Sequence, residues 1–113
     1  MISLDKKIFQ AILNSDTGEV SKKTLFHYYQ EGNIISANYS GGDIVKGSIL
    51  GKQLNNGTFD FVYQHINIAG KIKIGKCLSQ AKYNEYGKIK LVEKWQWLCD
   101  DMSSGESELI EIN

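Results

Sequence analysis

Hydrophobic and polar residues alternate along the chain in short runs. Phe59, Phe61, Tyr63 and His65 share one parity while Asp60, Val62 and Gln64 share the other. Period-two patterning of β-branched and aromatic residues is that of half-buried strands. Between the runs stand turn clusters at nearly even intervals: Asp16-Thr17-Gly18, Glu31-Gly32-Asn33, Gly41-Gly42-Asp43, Asn55-Asn56-Gly57, Ala69-Gly70, Asn84-Glu85-Tyr86-Gly87 and Ser103-Ser104-Gly105. Glycine, asparagine and aspartate supply the positive φ that hairpin loops demand. The pattern predicts strands over about 6–13, 20–30, 33–40, 43–54, 57–67, 70–81, 87–98 and 105–112. One segment reads two ways. Leu4, Ile8, Ile12 and Leu13 could form the apolar face of a short helix capped by Ser3, but period two also fits. A strand is favoured because the rest of the chain needs a partner for its edge.

Every connection is short except the one around Asp100 to Gly105. Short connections join sequence neighbours into antiparallel hairpins, so a meander is expected. About eight strands in a meander can hide both edges by closing on themselves. The predicted fold is therefore all-β: one antiparallel up-and-down barrel, spanning 1–113 as a single domain. A two-sheet sandwich is the alternative, and it would need a long crossover that the spacing does not offer.

Hairpin arithmetic then assigns the inner face. A loop at Ile68-Ala69 pairs Phe59 with Leu78, Phe61 with Lys76, Tyr63 with Ile74 and His65 with Ile72. A loop at Glu85-Tyr86 pairs Leu78 with Glu93, Lys76 with Trp95 and Ile74 with Trp97. Phe59, Phe61, Tyr63, His65, Lys76, Glu93, Trp95 and Trp97 then face inward, with Ile89 and Leu91. Lys71, Lys73, Lys88, Lys90, Lys94 and Cys77 face water. Two registers stay open for 43–54. A two-residue Asn56-Gly57 loop turns Lys46, Leu50, Lys52 and Leu54 inward. A bulge turns Val45, Gly47, Ile49 and Gly51 inward instead, leaving room for large aromatics opposite.

Composition removes several function classes. Thirteen acidic side chains balance thirteen basic ones, and every base is lysine. Without a basic patch or arginine forks, nucleic acid is not an expected partner. The N-terminal residues lack the cleavage pattern of a signal peptide, and no run approaches the ~20 apolar residues of a membrane span. The expected address is the cytoplasm, with no membrane partner. Cys77, Cys99, His27 and His65 lack metal-ligand spacing, so no metal is expected, and the two thiols, on opposite faces in the predicted register, should stay free.

A polar group within an aromatic-walled barrel is how small-ligand sites are built. Phe59, Phe61, Tyr63, Trp95 and Trp97 would stack on a ligand, while His65, Lys76 and Glu93 orient its polar groups. Against this stands a barrel filled with its own side chains, with Lys76 and Glu93 as a structural pair. A third expectation is an enzyme using Glu93 and His65 as acid and base. A fourth is an interaction module, or a homo-oligomer, that uses the outer face. No catalytic triad, phosphate loop or dinucleotide loop occurs, so no cofactor is expected. Phe26, Tyr28, Tyr29 and Tyr39 read as ordinary strand residues, since tyrosine is favoured in sheets.

The stretches GEVSKKTLFHYYQEGNIISANYSGGDIVKGSILG and GKIKLVEKWQWLCDDMSSGES resemble a family of small bacterial proteins. Its members often carry the label N-acetylglutamate synthase. The resemblance runs from about Gly18 to Glu111 and implies a calycin-like, lipocalin-like β-barrel. The residues themselves show no glycine-bearing loop leading into a helix to cradle an acetyl-CoA pyrophosphate. Binding is accordingly preferred over catalysis.

Overall fold

The computed structural model describes residues 1–112; the last residue of the expected 1–113 domain lies outside them. Eight strands follow in chain order: β1 (Ile8–Asn14), β2 (Leu25–Glu31), β3 (Ile34–Gly41), β4 (Ile44–Gln53), β5 (Phe59–Asn67), β6 (Ile72–Tyr83), β7 (Ile89–Trp97) and β8 (Ser104–Ile112). Each pairs antiparallel with the next, and β1 pairs with β8, so the sheet closes into an up-and-down barrel. Closure leaves no unpaired edge and excludes the sandwich. The ambiguous N-terminal segment is a strand from Ile8, preceded by Leu4, which is 1% exposed.

Three hairpins share one loop design, and it is not the two-residue loop expected above. In the β5–β6 hairpin the Asn67 N–H donates to the Lys71 carbonyl at 3.0 Å, so Ile68, Ala69 and Gly70 form the loop. The Gly70 N–H donates back to the Asn67 carbonyl at 2.8 Å, with Gly70 at φ 78°. This is the three-residue loop whose glycine takes the left-handed conformation and forms a bulge. The Leu54–Thr58 and Asn84–Lys88 connections repeat it, with Gly57 at φ 88° and Gly87 at φ 76°. Asn67 and Asn84 each fix their loop, their Oδ1 atoms accepting from two backbone N–H groups.

One extra loop residue turns the following strand over. Phe59, Phe61, Tyr63 and His65 pair with Ser79, Cys77, Gly75 and Lys73. The expectation for β6 is thus inverted. Gly75, Cys77 and Ser79 point inward, while Lys76, Leu78, Ile72 and Ile74 point outward. The β6–β7 loop slips by one residue in turn, and the two slips compensate. Ile89, Leu91, Glu93, Trp95 and Trp97 therefore face inward as predicted. In β4 the bulged alternative prevails: the register shifts between Ile44 and Lys46, and Gly47 and Ile49 point inward. Val45 departs from that alternative, because it sits on the bulge and is 58% exposed.

The interior divides into two halves. Phe9, Ile35, Phe59, Leu91 and Leu109 pack one end solid, each fully buried. The other half is lined by rings and polar groups and is not filled. A barrel of eight strands is just wide enough for either outcome, and this chain shows one at each end.

Candidate functional site

The unfilled half holds a cavity of about 50 Å³. Phe61, Tyr63, His65, Glu93, Trp95 and Trp97 from the sequence-predicted set line it. Phe59 does not, being packed in the solid end. Lys76 is a correction: it lies on the outer face of β6, opposite Val62 and Gln96, and makes no pair with Glu93 inside. Cys77 and Lys73, expected outside, take inward positions for the same reason.

Sequence reasoning missed part of the lining. Phe26 and Tyr39, read as ordinary strand residues, form a stacked pair in the wall, with centroids 4.9 Å apart and planes 20° apart. Tyr39 meets His65 edge-on at 5.6 Å, His65 meets Trp97 at 5.8 Å, and Trp97 meets both Trp95 and Tyr63 at 5.6 and 5.7 Å. The rings form one continuous wall. Room for them comes from glycines on neighbouring strands. Tyr39, Phe61, Tyr63 and Trp95 pair directly with Gly47, Gly51, Gly75 and Gly105. A Cβ at Gly47 would come within 2.4 Å of the Tyr39 ring, and one at Gly75 within 2.2 Å of the Tyr63 ring. Glycine inside a strand marks such close approach.

The segment between β1 and β2, residues 15–24, brings Gly18, Glu19 and Val20 against the cavity. Hydrogen bonds between four residue pairs at the lining help to hold it. Trp97 Nε1–H donates to the Thr17 carbonyl (3.0 Å), Asn14 Nδ2–H to the Val20 carbonyl (3.0 Å), and Asn67 Nδ2–H to Glu19 Oε2 (3.2 Å). The fourth joins Glu19 Oε1 to His65 Nε2 at 2.8 Å, while Tyr39 Oη lies 2.8 Å from His65 Nδ1. A neutral imidazole protonated on Nε2 satisfies both: it donates to Glu19 and accepts from Tyr39. Trp95 Nε1–H is also occupied, donating to Asn14 Oδ1 at 3.1 Å.

At the rim, Lys73 Nζ lies 4.7 Å from the Trp97 ring centroid and ion-pairs with Asp100, which also holds Lys71 at 2.5 Å. Asp100 takes φ 55°, a left-handed conformation that aspartate tolerates. Hydrogen bonds from Lys71 and Lys73 hold its carboxyl down at about 2, and the bond to Asp100 in turn raises the Lys73 ammonium.

Deeper in, Glu93 is the buried acid. Ser107 Oγ–H donates to its Oε1 at 3.1 Å, while Oε2 has no hydrogen-bond partner among the described residues. Burial pushes the carboxyl up to about 7, with the hydroxyls of Ser79 and Ser107 drawing it partly back. Ser79 lies beside it without a hydrogen bond of normal geometry. Burial also raises Cys77, which is thereby a neutral thiol and not a nucleophile. No group of three or more metal-ligating side chains is gathered among the described residues, and no helix there is long and apolar enough to cross a membrane.

A family model described as avidin-like protein matches residues 2–112. No curated protein and no solved structure matches. The match agrees with the expected small calycin-type barrel and does not bear out the N-acetylglutamate synthase label. It covers nearly the whole barrel, lumen and rim included, and the chain belongs to the avidin-like family.

Proposed function

We propose that this protein binds a small, largely apolar molecule in the open half of its barrel. The observation that carries the reading is the unfilled lumen itself, walled by Phe61, Tyr63, Trp95, Trp97, Phe26 and Tyr39 around a few inward polar groups. Concave, aromatic-lined sites with sparse polar contacts are the usual form of small-molecule pockets. Membership of a family of barrels that typically bind small ligands supports the same reading. Both nitrogens of His65 are already engaged, by Tyr39 and Glu19, so the ring has no free atom with which to take a substrate proton. That favours binding over acid–base turnover through His65.

Both tryptophans lie in the wall, so intrinsic fluorescence reports occupancy. Titration with a panel of small aromatic and alicyclic molecules should give a saturable one-to-one response for at least one. Cys77→Phe, which fills the lumen from β6, should abolish that response while a thermal melt confirms that the variant folds. Linear, unsaturable responses in both proteins would refute the proposal.

A further inference from the structure

Three adjacent strands carry Ser79, Glu93 and Ser107 in direct cross-strand register, all pointing into the barrel and all nearly fully buried. Ser107 satisfies one carboxyl oxygen. Glu93 Oε2, Ser79 Oγ and the Tyr28 hydroxyl, from β2, have no hydrogen bond of normal geometry among the described residues. A buried acceptor without a donor is costly, and native interiors rarely leave one so. Glu93 and Ser107 line the cavity, which sets the carboxyl group against whatever occupies it.

Among the described residues, nothing inside supplies the missing donor as a cation. Lys76 is on the outer face and Lys73 is at the rim, committed to Asp100. Around Glu93 stand Tyr28 from β2, Tyr39 from β3, Tyr63 from β5 and Cys77 from β6; burial raises all four, so each is neutral at pH 7. The other ionisable groups of the lining, His65 from β5 and Glu19 from segment 15–24, are bonded to each other. The rest of the lining is largely aromatic, and ring faces attract a cation through their negative quadrupoles.

We infer that the ligand is a small organic cation, an amine or amidine on an apolar body, whose N–H group donates to Glu93 between Ser79 and Ser107. The inference rests on the lumen being a ligand site and adds the class of ligand. An ionised carboxylate accepts only, so it selects for donors and rejects anions.

Benzamidine, benzyl alcohol and benzoate share one ring and differ in charge, and they separate the cases. Benzamidine should bind about tenfold or more tightly than benzyl alcohol, and benzoate should not bind. Glu93→Gln should collapse that preference. Should Glu93→Gln fail to fold, the wild type still decides: benzamidine affinity should rise from about pH 5.5 to about pH 8, as Glu93 gives up its proton, while benzyl alcohol affinity stays flat. Equal affinities with no pH dependence would show a carboxyl that is merely hydrated and overturn the inference, leaving the lumen a ligand site. Binding of none of the three by a protein that also fails the wider panel would overturn both.

Discussion

Gly51 and Gly75 occupy equivalent places opposite Phe61 and Tyr63, yet filling them should not cost the same. A Cβ at Gly51 would meet the Asp60 carbonyl and the Phe61 Cβ at 2.3 Å, atoms that cannot move without the strand. At Gly75 the obstacle is the far end of the Tyr63 side chain at 2.2 Å, and Tyr63 is only half-buried. Gly75→Ala is expected to cost about 1 kcal/mol in urea unfolding and Gly51→Ala about 3 kcal/mol or more, overpacking being worse where relief is blocked. Glu93 gives a second expectation at this scale. Its carboxyl is raised on folding, so between its unfolded and folded values the native state binds the extra proton. Stability from this group is full below the unfolded value and is lost as pH rises through the folded one. The shift from 4.5 to about 7 corresponds to up to about 3 kcal/mol. Urea unfolding of the wild type should show stability falling between about pH 5 and pH 8, and Glu93→Gln should remove that component.

Segment 15–24 and the hairpin loops set the scale of elements. Glu19 ties the segment to His65 and Asn67 on β5, while β1 and β7 hold it through Asn14 and Trp97. Glu19→Ala should raise amide exchange in 15–24 and speed ligand release, leaving exchange in β5–β7 unchanged; protection unaltered in 15–24 would show that Glu19 is not a latch. Nothing in the sequence marked Glu19, because its role depends on a loop folding over the mouth. The meander, by contrast, was legible from turn spacing, and the inner faces of β5 and β7 from their aromatic alternation. Strand β6 was misread for a physical reason. Its aliphatic residues, Ile72, Ile74 and Leu78, suggest the inner face, but the inward positions opposite Tyr63, Trp97 and Trp95 are taken by the small Gly75 and Cys77. Large residues on one strand require small ones on its neighbour. Gly70 and Gly87 were the available signal: each ends a loop of three residues, and counting two reversed the strand.

For the whole molecule, closure through β1 and β8 creates the lumen, and uneven filling makes it a site. The solid end supplies the buried apolar core that the hollow end gives up, so a cavity can persist in a barrel of only eight strands. Ile49 and Leu50 are adjacent in sequence but stand on opposite sides of the wall, Ile49 5% exposed in the lumen and Leu50 61% exposed outside. They allow the most direct test. Intermolecular NOEs should be recorded between a bound aromatic ligand, benzamidine in the first instance, and the labelled protein. A ligand in the barrel should give contacts to the indole protons of Trp95 and Trp97 and to the Ile49 methyls. Contacts to Leu50, Val62 or Leu78 on the outer face, with none to the two indoles, would contradict it.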